Sequence, residues 1–362
     1  MLRGVIVGCG VIATRKFIPI CKRLKSKVAL VGICDTNEGI LKDVGSRFGV
    51  SNTYTDYSRM IRDERPDVVM ICTPPAVHTK LVVEALENGV NVLVEKPMAL
   101  TSADCQKMVD ASQRHGTKLG IMHNQIFNPA FEKACDLVAA GAIGKFLGMR
   151  TFLCTPVDDM TSNEKHWAHR LPGGVLGETG PHAVYLALAI LENVTDVHIC
   201  SKKLLPEYPW SPAEDFRFDI IAKNGINSVA LMYGSSQSAA EIEIIGTEGM
   251  LKLDLQSRIL VRHNRTVGPE LLSAKALVKS ITSGIYQTGT SLVMNGMVHA
   301  VKKSLDGHYI GVNRFLDYVA RDAPFRATGE QGKETVALLE TIIQKYQKAH
   351  EQQSGSTAAV TQ

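Results

Sequence analysis

Along residues 1–123, short continuous apolar runs alternate with stretches whose apolar positions recur every three or four residues. "GVIVG" (4–8), "KVALVGICD" (27–35), "PDVVMICT" (66–73), "VNVLVE" (90–95) and "KLGIMH" (118–123) have strand length and little alternation. Between them, "HTKLVVEALENG" (78–89) and "TSADCQKMVDASQRHG" (101–116) read as helices that end in glycine, the second opening on Thr and Ser as caps. Apolar strands separated by helices predict a parallel, doubly wound sheet covered on both faces.

After residue 124 the rhythm changes. One helix is expected at 129–140. Strand-like runs then follow at 146–154, 196–202, 214–222, 226–233, 239–245, 249–254 and 257–262. No crossover helices separate most of them, so their pairing should be largely antiparallel. A helix at about 181–192 interrupts the series, and 270–350 reads as helical. The pattern therefore predicts an α/β Rossmann-type domain over 1–123 and an α+β domain with a large, mostly antiparallel sheet over 124–350. The segment 351–362 is poor in apolar residues and is expected to be a flexible tail. No internal repeat is visible.

Composition narrows this only a little. At 362 residues, 45% hydrophobic and 21% charged, the chain is ordinary globular material of two-domain size. A net charge of +4 gives no reason to expect nucleic acid. No run is long enough for a membrane span. The opening "MLRGVIVGCG" reads as a first strand rather than a cleavable leader, which predicts a cytoplasmic protein. The eight cysteines include no CxxC pair, and Cys34, Cys72, Cys154 and Cys200 fall in strand-like runs, so free thiols are expected.

The strongest chemical signal follows the first strand. In "GVIVGCGVIATRKF", Gly8, Gly10 and Ala13 form a GxGxxA turn into a helix, with Val11 and Ile12 between them. Gly8 permits the tight turn. Gly10 lets a pyrophosphate approach the backbone, and the small Ala13 lets helix and strand pack closely. Asp35 ends the second strand, where a carboxylate accepts hydrogen bonds from ribose hydroxyls and repels a 2′-phosphate. The combination predicts NAD rather than NADP.

With those residues, "CTPPAVH" (72–78) and "EKPMA" (95–99) in order, the chain resembles the glucose–fructose oxidoreductase/inositol dehydrogenase/MocA family. "FNPAF" (127–131), "GGVLGETGPH" (173–182) and "IIGTEGMLKLD" (244–254) extend the likeness into the second domain. The resemblance implies an NAD-dependent dehydrogenase or reductase acting on a hydroxyl or carbonyl of a sugar, cyclitol or nucleotide sugar. It implies that Lys96 is the acid/base residue, beside a Pro97 whose preceding peptide is often cis. Glu95 is expected to turn toward the backbone or the cofactor. Thr73, Pro74 and His78 are implied as contacts near the ribose, and Asn124 as one near the nicotinamide.

In the second domain the family's Asp-x-x-x-His is Glu178-Thr-Gly-Pro-His182 here, with His182 implied as a proton relay and Glu178 as its helper or the substrate's. Four-residue spacing puts both on one face if the segment is helical. The sequence departs from the family elsewhere: Ile126 replaces a frequent arginine, and Tyr185 stands where Asp is common. Trp167, Arg170 and Tyr185 are the implied substrate contacts.

Other readings stay open. The fold could serve as a dinucleotide-binding sensor, although Lys96 and His182 argue against it. It could also use NAD transiently to cleave a glycosidic bond. His166, His169, Glu178 and His182 could surround zinc, but no metal is expected because the two loop histidines stand in polar sequence with no cysteine near. Residues 257–303 hold seven Lys/Arg and one Glu, with Leu277, Ile281 and Ile285 at helical spacing. They are read as a helical elaboration packed on the sheet or on a second subunit of a homo-oligomer (dimer or tetramer), with a basic lipid- or phosphate-binding surface as the alternative.

Overall fold

The computed structural model describes residues 1–264, 274–300 and 306–359. It forms two units: Met1–Phe127 with Asp306–Ala337, and Asn128–Leu305 with Leu338–Gln362. In the first unit the five apolar runs become β1 (Leu2–Val7), β2 (Val28–Cys34), β4 (Val68–Ile71), β5 (Asn91–Val94) and β6 (Leu119–Ile121). A two-residue β3 (Thr53–Tyr54), too short to leave a pattern, joins the edge. All pairings are parallel, in the order β3-β2-β1-β4-β5-β6. The order reverses direction between β1 and β4, which opens a crevice at the strands' carboxyl ends.

Helices α1 (Ile18–Arg23), α2 (Glu38–Phe48), α3 (Tyr57–Glu64), α4 (His78–Glu87) and α5 (Ser102–His115) cross over between strands. Their ends follow local chemistry. The Thr101 hydroxyl accepts from the Asp104 amide at 3.0 Å, and α5 stops at Gly116 with φ +64°. Met60, Val69, Ile71, Val82, Leu86, Val92, Val94 and Met108 close a core on one face of the sheet. Burying each such side chain contributes about 1.5–3 kcal/mol.

The second unit opens with α6 (Pro129–Ala139), capped by Asn128. That side chain accepts from Ala130 N–H and donates to the Leu255 carbonyl at 2.7 Å. Then come β7 (Phe146–Pro156), α7 (Asp159–Ser162), α8 (Val175–Leu188) and the strands β8 (Val194–Lys202), β9 (Asp215–Ala222), β10 (Gly225–Ser235), β11 (Ala239–Gly246), β12 (Gly249–Asp254) and β13 (Ile259–Asn264). They form one sheet, β13-β12-β11-β7-β10-β9-β8. Only β7 and β10 pair in parallel.

Alternation decides which face of that sheet is buried. Phe216, Phe218 and Ile220 of β9 point inward, onto Val175, Leu176, Val184 and Ala187 of α8 and onto Leu339, Ile342 and Tyr346. The opposite face presents Arg150, His198, Cys200, Arg217 and Glu241 around an open groove of about 540 Å³. Helix α8 begins six residues before the expected Pro181, directly after Gly173 and Gly174 at φ +74° and +59°. Pro181 therefore sits inside the helix, where it has no N–H for the carbonyl four residues back.

Helix α9 (Ala274–Ala300) covers the edge strand β13. Gln287 trades both amide groups with Arg262, accepting from its N–H at 2.8 Å and donating to its carbonyl at 3.0 Å. Val278, Ile281 and Ile285 lie exposed on this helix. Leu277 and residues 265–273 and 301–303 of the basic segment lie outside the described residues or side chains.

Two helices complete the fold: α10 (Gly307–Arg321) and α11 (Gly329–Ala359). The sequence pattern assigns both to the second domain, yet Asp306–Ala337 belongs with the first unit. The reason is apolar contact. A Cβ on Gly120 of β6 would lie within 3 Å of Phe315 and Phe325, and Ile121 N–H donates to the Ala327 carbonyl at 2.8 Å. The stretch expected as a tail from 351 continues α11 to Ala359.

Candidate functional site

In the first unit the expected residues gather at the carboxyl ends of β1, β2, β4 and β5. Gly8 has φ +83°, and a Cβ there would meet the Cys72 carbonyl carbon and oxygen at 2.9 Å. Only glycine fits this approach of the loop to the end of β4. Gly10 has nothing within 4 Å of its missing Cβ, which leaves room for a ligand against the backbone. Val11 is exposed at the helix start, while Ala13 is fully buried under it. Ile12 is half-buried between them.

Asp35 closes the crevice on the β2 side. Its carboxylate accepts from Cys9 N–H at 2.8 Å and from Asn37 N–H at 2.9 Å, so it is already aimed by the loop. Thr73 follows β4, with its buried Oγ1 lacking a hydrogen-bond partner. Pro74 is exposed beside it. A buried hydroxyl without a partner fits a ligand that supplies one. Cradle, space, aimed carboxylate and orphan hydroxyl together fit an adenine dinucleotide.

His78 is placed otherwise than the resemblance implies. It is 0% exposed, and both ring nitrogens face backbone carbonyls. Nε2 lies 2.7 Å from Thr73 O, and Nδ1 lies 3.1 Å and 3.2 Å from Pro97 O and Met98 O. Burial pushes its pKa down, against the pull of those three carbonyls. The ring is a bracket between the Thr73-Pro74 turn and the Lys96-Pro97 turn, not an open ribose contact.

Glu95 and Lys96 end β5, two strands from β1 and hence about 10 Å across the sheet. The Lys96–Pro97 peptide is cis. Glu95 is 7% exposed; its Oε2 accepts from the Lys96 backbone N–H at 3.1 Å, the turn toward the backbone that the sequence suggested. Its Oε1 has no hydrogen-bond partner. Lys96 is half-buried. Asn124 begins a 3-10 turn (Asn124–Phe127), close to Gly307 of α10, whose Cβ would lie 2.1 Å from the Asn124 carbonyl. Ile126 is buried in that turn.

The second unit carries Glu178, His182 and Tyr185 on α8. Because the helix is continuous from Val175, Glu178 and His182 share a face at i, i+4. Glu178 accepts from the Thr179 hydroxyl at 3.0 Å. Tyr185 is 3% exposed, and its hydroxyl lies 2.6 Å from His182 Nδ1. It is therefore not an open substrate contact. It holds the Nδ1 side of the imidazole, a role that the sequence reading of Tyr185 as a substrate contact did not include.

Trp167 and Arg170 lie on a 3-10 turn (Trp167–Arg170), Trp167 37% exposed and Arg170 exposed. Between them, both ring nitrogens of His169 are buried without a hydrogen-bond partner. Among the described residues, no group of three or more His, Cys, Asp or Glu could hold a metal ion. Among them, too, no helix is long and apolar enough to cross a membrane.

The sequence and the fold both match known proteins. Residues 2–123 match the model of an oxidoreductase family with an NAD-binding Rossmann fold, GFO/IDH/MocA, and residues 131–252 match the C-terminal domain of the same family. A D-apiose dehydrogenase of Paraburkholderia graminis is 28% identical over 73% of this chain and 70% of its own. A myo-inositol 2-dehydrogenase of Thermotoga maritima is 25% identical over 62% and 67%. Among solved structures, the WlbA dehydrogenase from Bordetella pertussis in complex with NADH and UDP-GlcNAcA superposes with a TM-score of 0.78 at 18% identity, covering 96% of each chain. A levoglucosan dehydrogenase in complex with NADH and levoglucosan does so at 0.77 and 19%, covering 96% and 97%.

Proposed function

Since this chain belongs to the Gfo/Idh/MocA oxidoreductase family, we propose that it is an NAD-dependent dehydrogenase that oxidises a CH–OH group of a sugar, cyclitol or nucleotide sugar. The observation that carries the reading is the Lys96 turn, held on the same sheet edge as the Gly8–Gly10 loop. When bound, NAD supplies the hydride acceptor. Gly10 and the loop amides hold its pyrophosphate, Asp35 its adenosine ribose, and Thr73 donates the hydroxyl bond it lacks. Lys96 takes the substrate's hydroxyl proton. His182, oriented by Tyr185, shares or relays that proton, and Glu178 helps to position it or the substrate. Asp35 makes NAD the preferred cofactor, because a 2′-phosphate would place like charges together.

The retained Lys96 and His182 favour catalysis over sensing. NADH formation is to be followed with D-apiose, myo-inositol, levoglucosan and a UDP-hexosamine acid, substrates chosen from the relatives' names. Lys96→Ala or His182→Ala should lower turnover by about 10²–10⁴-fold, with NAD affinity nearly unchanged. Normal turnover in both would move the sensor reading ahead. Steady-state turnover without net NADH would favour glycoside cleavage instead. Self-association as a dimer or tetramer through the open face of the seven-stranded sheet, where Arg150 and Arg217 stand beside Glu241 and Glu243, belongs to the same proposal, as does a cytoplasmic location; a concentration-independent monomer mass in sedimentation would count against the first.

A further inference from the structure

Four ionisable side chains of the first unit, drawn from three separate segments, stand in a row of alternating sign. Lys16, on the helical turn that follows the phosphate loop, pairs with Asp306. Asp306 caps α10: its Oδ1 accepts from the His308 backbone N–H at 2.9 Å and faces His308 Nδ1 at 3.3 Å. The other ring nitrogen, Nε2, lies 3.6 Å from Glu95 Oε1, and Glu95 Oε2 accepts from Lys96 N–H. The side chains of His308 and Glu95 are only 12% and 9% exposed. Phe17 meets the imidazole edge-on at 6.2 Å between centroids.

A carboxylate this buried needs a countercharge. Among the described residues, His308, Cys72 and His78 are ionisable groups that face Glu95. Burial drives the Cys72 thiol well up and His78 down, which favours the neutral form of each, so neither supplies the countercharge. The Asn124–Phe127 turn that packs on α10 has no ionisable side chain, and adjacent His123 is held neutral, burial pushing its pKa down to about 3. His308 differs from His78 and His123. Burial alone would lower its pKa, but Asp306 and Glu95 outweigh that and hold it above the ordinary histidine value.

We propose that His308, as an imidazolium fixed by Asp306, is the positioning residue and resident counter-ion of Glu95, so that the neutralisation of Glu95 does not depend on the charge of Lys96. This rests on the reading of Lys96 as the acid/base residue. Its chemical content is specific. If Lys96 were the sole positive neighbour of Glu95, each proton it gave up would leave an uncompensated buried anion. With His308 charged, Lys96 can lose and regain its proton against a constant background. Lys16 completes the row by neutralising Asp306, and it ties the start of α10 to the helix that follows the phosphate loop.

Two measurements test this. In the first, imidazole resonances of the whole protein with NAD are followed against pH. His308, assigned by its loss in His308→Gln, should titrate above the ordinary value of about 6.5. In Glu95→Gln its midpoint should fall by about one unit. A His308 midpoint at or below the ordinary value, or one indifferent to Glu95→Gln, overturns the proposal without any substrate being needed. In the second, kcat/KM for whichever of D-apiose, myo-inositol or levoglucosan is oxidised is measured against pH. His308→Gln should move the rise of activity to higher pH by about one unit, with NAD affinity changed less than about threefold. The double variant Glu95→Gln/His308→Gln should return it toward the starting position. An unmoved profile in His308→Gln overturns the proposal while leaving the Lys96 reading intact. Full turnover in Lys96→Met removes that reading instead, whatever His308 does.

Discussion

Two glycines of one motif should fail for different reasons, and the difference can be measured. At Gly8 a new Cβ meets backbone atoms of Cys72 at 2.9 Å, on a residue with φ +83°. Backbone strain of this kind costs of order 1–3 kcal/mol, and the overlap with a fixed strand end adds to it, giving roughly 2–4 kcal/mol for Gly8→Ala. At Gly10 the same methyl group meets nothing within 4 Å. Gly10→Ala should therefore leave the stability of the NAD-free protein within about 0.5 kcal/mol. Its cost should appear only when the pyrophosphate approaches: an overlap of about 1–3 kcal/mol weakens NAD binding roughly 5- to 150-fold. Urea unfolding without NAD, paired with an NAD titration by fluorescence, separates the two. An equally unstable Gly10→Ala would refute the packing argument. Unchanged NAD affinity in Gly10→Ala would show that the loop is not the pyrophosphate cradle.

Asp35→Ala should narrow the preference for NAD over NADP by about tenfold or more, read from the two dissociation constants; tighter NADP binding by the unaltered protein would contradict the role of this carboxylate. Tyr185→Phe removes the 2.6 Å contact to His182 but keeps the buried ring, so it should cost about 0.5–1.5 kcal/mol in kcat/KM while NAD binding holds. Fully buried His123 has its pKa depressed by burial to about 3, below its unfolded value near 6.5. Its contribution to stability is therefore complete above pH 6.5 and lost as pH falls toward 3, by about 1.4 kcal/mol for each unit. Unfolding measured from pH 7 to 4 should show that slope, and His123→Asn should flatten it.

What the sequence carried, and what it did not, divides along range. Five strands of the first sheet were legible, because most are buried on both faces and read as unbroken apolar runs, whereas the two-residue β3 was not. The seven later strands were legible through alternation, as in Phe216, Phe218 and Ile220. The start of α8 was not, because a proline usually marks a first turn and Pro181 does not. The loop glycines, Asp35 and the Lys96 turn could be found since each lies within a local motif. Tyr185 was visible as a departure, but its bond to His182 depends on a helix face that only the fold defines. The placement of α10 was hidden altogether. Nothing near Asp306-Gly307-His308 says that it packs beside Glu95; that pairing is a property of tertiary structure.

The glutamine at position 287 has a consequence for how copies of this chain can meet. A sheet's outermost strand offers an unsatisfied ladder to any other extended chain, and unprotected ladders propagate into fibres. On β13 the Arg262 N–H and carbonyl are already taken by a side-chain amide that imitates a neighbouring strand. The substitute has one rung and no successor, so growth by strand addition stops there. Assembly through this edge is discouraged, and contacts between copies are left to the broad side-chain faces, where the partner is chosen by shape and charge rather than by a repeating backbone.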